Sequence, residues 1–302
     1  GDCFSHLGTA REIAIIEKTK IKDKAYNFTE NSNFDDYAAI SIASKEACLR
    51  YSSRIIKGVR VKESPKWLKD RLNSIGQKPI NNIVDAANYI MMDTGHPLHT
   101  FDVKKIKNKK ITVRFADKNE KIDLLDGNAY NLDKINLVIA DSDKPIAIAG
   151  VMGDKNTGIT NKTTDILIES AYFNPSIVRK SAKYLGLSTE SSKRFERDTD
   201  INNVINSLNQ ITDLILKIAG GESISNLKDI YPIKKESSLI EFNVEECNKF
   251  LGTNFTRKDI KNYLFLLNIE INNRNMLCKI PSYRNDITRS VDLYEEIARV
   301  FG

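Results

Sequence analysis

A chain of 302 residues with 46 lysines and arginines against 40 aspartates and glutamates carries a net charge of +6 and divides naturally into two or three domains. Hydrophobic content of 41% and charged content of 28% are ordinary for a globular protein, and no apolar run approaches the roughly 20 residues of a membrane span. Cys3, Cys48, Cys247 and Cys278 lie far apart with no CxxC pair, which argues against zinc ligation and a disulfide framework and fits a reducing cytoplasm. The start lacks both an initiator Met and a secretory signal, so the chain is expected to be a piece of a longer one. Positive charge favours an anionic partner in general, but it is scattered and forms no arginine-rich arm.

Residues 1–43, with a helix-like run from Leu7 to Ile16 and a polar stretch from Asn27 to Asn33, are expected to be a domain remnant and linker. From Arg54 to Val61 the sequence is β-rich. Ser64 and Pro65 then predict an N-cap and first helical position, with Trp67, Leu68, Leu72 and Ile75 on the buried side and Gly76 as the stop. The middle is strand-rich, at 111–115, at 122–125 before an Asp126-Gly127 turn, and at 136–140, 146–149 and 166–169. Two helices follow, one from near Pro175 and one over 202–219 with an apolar face of Val204, Ile205, Leu208, Ile211, Ile215 and Ile218. After Tyr231-Pro232 a small unit is expected, with a strand near 239–242, helices near 244–251 and 257–267, a hairpin about an Asn-rich turn and a last helix over 291–300. The fold class is therefore α+β: a mixed-sheet domain over 44–235, then a small helix-and-hairpin, winged-helix-like domain over 236–302.

Certain strings carry more than secondary structure. Lys78-Pro79-Ile80-Asn81-Asn82-Ile83-Val84-Asp85-Ala86-Ala87-Asn88-Tyr89 runs into Gly95-His96-Pro97-Leu98-His99-Thr100-Phe101-Asp102. Ala147-Ile148-Ala149-Gly150-Val151-Met152-Gly153 follows, then Ile168-Glu169-Ser170-Ala171-Tyr172-Phe173 with Gly186 to Ser192 and Arg194-Phe195-Glu196-Arg197. Pro281-Ser282-Tyr283-Arg284-Asn285-Asp286-Ile287 and Asp292 to Arg299 close the chain. In this order the strings resemble the bacterial phenylalanyl-tRNA synthetase beta-subunit family over nearly the whole chain.

The resemblance implies a domain that hydrolyses tyrosine wrongly esterified to tRNA(Phe), in a fragment not itself expected to aminoacylate. It implies Glu169 as the acceptor for the tyrosine hydroxyl and His99 as the residue at the ester, with Asn88, Gly150, Gly153, Thr189 and Ser191 binding substrate. Read without it, Glu169 is a solvated strand-end acid, His99 a structural histidine, and Gly-x-x-Gly a tight turn. No Ser or Cys has an evident His and acid partner, so direct attack by water is expected, and no metal is required for that chemistry. Trp67 is expected in the core and His96, where the family usually has Gln, at the surface or in support. Ala87 stands where Thr is common, Ser191 for Ala, Asp198 for Gly and Ile201 for Pro.

The closing acids Asp286, Asp292, Glu295 and Glu296 suit a helix N-terminus on their own account. By resemblance they associate with Mg2+ at a contact with a separate alpha subunit, in an alpha2-beta2 heterotetramer that is cytoplasmic and binds tRNA(Phe). A rival reading makes the chain a noncatalytic module that docks tRNA and the alpha subunit.

Overall fold

The computed structural model describes every residue except Asp23 and Asn273. The chain divides into two compact units, one formed by Lys24–Lys234, the other by the N-terminal segment together with Lys235–Gly302. The stretch 1–43 is thus shared between them.

In the larger unit a four-stranded antiparallel path runs Ser223–Ile224, Cys48–Lys57, Asp165–Phe173, Leu98–Asp102, with Lys228–Ile230 also paired to Cys48–Lys57. Because side chains alternate along a strand, residues opposite each other in an antiparallel pair share a face. Ile56, Ile166 and Ile168 point one way and pack with Ile83, Ile90, Leu208, Ile211 and Ile215 of the helices Asn82–Thr94 and Asn203–Ala219. Tyr51, Ile55, Leu167, Ala171, Phe173 and Phe101 point the other way, into a core shared with Ile111, Val113, Leu137 and Ile139. Those last residues belong to a second, five-stranded sheet ordered Ala39–Ile42, Lys110–Phe115, Leu137–Ala140, Pro145–Ile148, Met152–Gly153, parallel only in its first pair. The layers are helix pair, sheet, sheet, which is the mixed-sheet α+β architecture expected.

Residues 24–43 belong to this unit through polar anchors and one edge strand. Glu30 bonds the buried Arg54 guanidinium at 2.6 Å, and Asn226 accepts from the Phe34 amide at 2.7 Å. Local expectations are adjusted in three places. The β-rich run is a longer strand beginning at Cys48 and ending before Gly58, whose φ of +76 turns the chain. Ser64 does not cap the helix Lys66–Ser74; its hydroxyl donates to the buried Asp85 carboxylate instead. Trp67 is 42% exposed, because Leu68 and Leu72 take the whole buried face of that short helix, and its ring stands edge-on to Tyr89 with Arg71 beside both.

The smaller unit has a three-stranded antiparallel sheet, Leu239–Glu241, Leu277–Lys279, Glu270–Asn272, with the helices Val244–Leu251, Arg257–Leu266 and Ser290–Phe301. Its core joins Phe242, Cys247, Ile260, Leu264, Cys278, Leu293 and Ile297, and the helix His6–Ile16 adds Ile15. Arg11 of that helix lies 3.8 Å over the Tyr283 ring. Truncating Leu167, fully buried between the sheets, should destabilise the larger unit by about 2–5 kcal/mol, since the cavity left behind adds to the lost transfer energy. A urea titration of Leu167→Ala against wild type, read at equal m-value, measures it.

Candidate functional site

The strand register builds the site. Glu169 faces Ser53 on one neighbouring strand and His99 on the other, so these side chains share the inter-sheet face with Tyr51, Leu167 and Phe101. An acid at that position lies in the core without reaching solvent, and Glu169 is 6% exposed. It does not stand unpaired: the Tyr51 hydroxyl donates to Glu169 Oε2 at 3.1 Å. Burial pushes the Glu169 carboxyl up to about 8, with the Tyr51 bond pulling the other way. At neutral pH the acid is therefore mostly protonated, able both to donate and to accept.

Beside it opens a cavity of about 450 Å³. Asn88, His99, Gly150, Gly153, Glu169, Thr189 and Ser191 all line it, so every residue singled out for editing converges on one space. Asn88 comes from the helix Asn82–Thr94, and the glycines from the turn between the strands Pro145–Ile148 and Met152–Gly153 and its exit. Thr189 caps the helix Glu190–Phe195 by accepting from the Ser192 amide.

His99 sits in the wall with its ring edge-on to Phe101 at 4.5 Å. Burial drives its imidazole down to about 4, so it is neutral at physiological pH, and its Nε2 is buried without a hydrogen-bond partner. An imidazole this weakly basic is poorly matched to proton abstraction at pH 7 but is able to hold a water or hydroxyl by a hydrogen bond.

Gly153 explains itself through this ring. A Cβ there would lie 2.5 Å from His99 Cε1 and 2.7 Å from Nε2, so the glycine makes room for the imidazole. Gly150 adopts φ +72 and would press a Cβ to 3.0 Å from both Phe195 and Val178. The hydroxyls opposite the turn are engaged in holding it: Thr189 Oγ1 donates to Val151 O at 2.9 Å and Ser191 Oγ to Gly150 O at 3.0 Å. Neither is arranged as a nucleophile with a base. Ser191 adds a tether to this wall.

Other wall residues escaped the sequence reading, among them Gln77, Met91, Leu125 and Asp126, along with Tyr51 behind the wall. Leu125 and Asp126 come from the predicted Asp-Gly turn, whose position next to Gly153 only the pairing of distant strands supplies; the Leu125 amide donates to Gly153 O at 3.1 Å. His96 is not at the surface. It is 1% exposed, with its ring 6.2 Å from Phe195, and it lies between the left-handed Gly95 that ends the helix Asn82–Thr94 and the strand Leu98–Asp102.

Of the closing acids, Asp286 and Glu296 converge on one nitrogen of Arg284, and Asp292 is engaged elsewhere. Arg284 pairs with Asp286 at 2.7 Å and with Glu296 at 2.8 Å, Arg299 takes Glu296 at 2.6 Å, and Asp292 accepts from the Thr288 and Arg289 amides at 2.9 Å. Glu295 is exposed. Among the described residues no group of three or more His, Cys, Asp or Glu could hold a metal ion. Within this chain the carboxylates Asp286 and Glu296 are held by arginine, and Asp292 accepts from amides at a helix start.

The B3/4 domain family matches residues 47–220, and the tRNA synthetase B5 domain family matches 240–302. Over its whole length the chain is 43% identical to the phenylalanine–tRNA ligase beta subunit of Fusobacterium nucleatum and 41% identical to that of Protochlamydia amoebophila. In both cases 100% of this chain is covered and it spans 38% of the relative's length. A solved N-terminal fragment of the phenylalanyl-tRNA synthetase beta subunit from Pyrococcus horikoshii aligns with 99% of this chain and 83% of its own, at 17% identity and a TM-score of 0.45, too low to equate the folds.

Two measurements probe this geometry. Gly153→Ala should displace the His99 ring while leaving the strand backbone intact, visible as a large shift of the His99 imidazole resonances with little change in thermal midpoint. Because Glu169 binds its proton more tightly folded than unfolded, its contribution to stability is full below the ordinary 4.5 and is lost as pH rises through about 8. Glu169→Gln should flatten that decline, as read from urea midpoints across the window.

Proposed function

This chain belongs to the B3/4 domain family, and we propose that its larger unit hydrolyses the ester of tRNA(Phe) mischarged with tyrosine. The observation that carries this reading is a buried carboxyl, Glu169, in the wall of a cavity that also holds an unpartnered imidazole nitrogen, His99 Nε2. Tyrosine exceeds phenylalanine by one hydroxyl, and an apolar synthetic pocket rejects such an addition only about a hundredfold. A second site with a buried group dedicated to the phenol reverses the preference. Phenylalanine leaves that group unpaired, a defect worth about four orders of magnitude in favourable cases.

In this reading the ring of tyrosine enters the apolar part of the cavity among Leu98, Met91, Ile148 and Met152, and its hydroxyl meets Glu169. The ester then lies toward Gly153 and His99, whose neutral imidazole orients the attacking water. Neither Thr189 nor Ser191 forms a covalent intermediate, since both hydroxyls are spent on backbone carbonyls. We propose further that the chain works as part of a phenylalanine–tRNA ligase beta subunit, with tRNA(Phe) and an alpha subunit as partners; its likeness to the beta subunits of Fusobacterium nucleatum and Protochlamydia amoebophila supports this.

The test is direct. Tyrosyl-tRNA(Phe) and phenylalanyl-tRNA(Phe), each labelled on the amino acid, are incubated with the wild-type chain, Glu169→Ala and His99→Ala, and ester loss is followed against a blank. The wild type should clear the tyrosyl ester selectively. Glu169→Ala should lose most of that selectivity, and His99→Ala should lower the rate with selectivity kept. Equal loss in wild type, both variants and the blank removes the hydrolase assignment.

A further inference from the structure

Tyr51 is among the largest fully buried side chains of the larger unit, and a phenylalanine would fill the same volume. A hydroxyl placed in a core is costly unless it is bonded, typically by about 1–3 kcal/mol, so its presence asks for a partner. That partner is Glu169 Oε2, at 3.1 Å. Tyr51 does not itself line the cavity; it reaches Glu169 from the strand Cys48–Lys57, one diagonal step away from the directly opposed Ser53.

The geometry points to Tyr51 as a positioning residue: by holding Oε2 it fixes the Glu169 carboxyl so that the other oxygen, Oε1, is left for a phenol entering the cavity. This rests on the hydrolase reading above and extends it. A free carboxyl swings about its last torsion, which is broad and roughly two-fold, and would present its two oxygens interchangeably. Tied at one oxygen, it offers a single oxygen in a constant direction, as a selective hydrogen bond requires. The other titratable groups near it are Cys48 on the same strand as Tyr51, His99 directly opposite, and Asp126 and Glu190 elsewhere in the cavity wall. The second sheet contributes apolar lining, Ile139, Ala147 and Ile148.

Tyr51→Phe removes one oxygen and preserves the ring, so it isolates the role. In the full chain carrying 13C-labelled glutamate, with the Glu169 signal identified by its loss in Glu169→Gln, the carboxyl should titrate near 8 in wild type and at a higher pH in Tyr51→Phe. Tyrosyl-tRNA(Phe) hydrolysis should show a KM raised about tenfold, the worth of one hydrogen bond to an acid, with kcat little changed. In a Glu169→Ala background, adding Tyr51→Phe should change selectivity no further. Equal titration midpoints in wild type and Tyr51→Phe overturn the positioning role whatever the activity shows, and so does an additive effect in the double variant. If the wild type hydrolyses no tyrosyl ester, the hydrolase reading falls, and the titration alone decides what Tyr51 does.

Discussion

A carboxyl group shut away from water between two sheets is the constraint around which the larger unit is arranged. Glu169 occupies a position that the strand register assigns to the core, where Leu167 and Ala171 on the same face are fully buried. Keeping an acid there is possible because burial leaves it protonated at neutral pH and because a tyrosine hydroxyl meets one of its oxygens. The surrounding features follow from that: an apolar cavity on the open side, a histidine directly across the ladder, and glycines where side chains would collide with the rings.

The electrostatics set Glu169 and His99 apart. Both candidate residues titrate away from their ordinary values for the same cause, desolvation, but with opposite sign: the acid upward to about 8, the imidazole downward to about 4. Both are consequently uncharged in the empty cavity. Recognition in such a place is a matter of hydrogen-bond complementarity. A buried neutral pair also avoids the several kcal/mol that an isolated ion would cost in the same surroundings.

Much of this was readable from the amino acids, and the exceptions have physical reasons. The apolar face of the helix Asn203–Ala219 and the strand ending in Glu169 show their periodicity directly. The helix Asn82–Thr94 and the strand Leu98–Asp102 lie within a family string and were not separately resolved as elements, although they carry Asn88 and His99. Tyr51 belongs to no motif; only the pairing of residues more than a hundred positions apart brings it to Glu169. Trp67 lies outside because Leu68 and Leu72 suffice for a short helix, and of the two places open to His96, surface or support, it takes the buried one beside Phe195. The acids at the end of the chain suit a helix start by their spacing, as Asp292 shows, but spacing does not show that Arg284 stands between two of them.

The two hydroxyl tethers from Thr189 and Ser191 to consecutive carbonyls at 151 and 150 make the short helix Glu190–Phe195 and the glycine turn a single panel. Side-chain rotation alone cannot widen the chamber on that side; both clasps must open together. The width of the chamber on that side is thereby set by main-chain oxygens, independently of how the acid at the far wall is disposed.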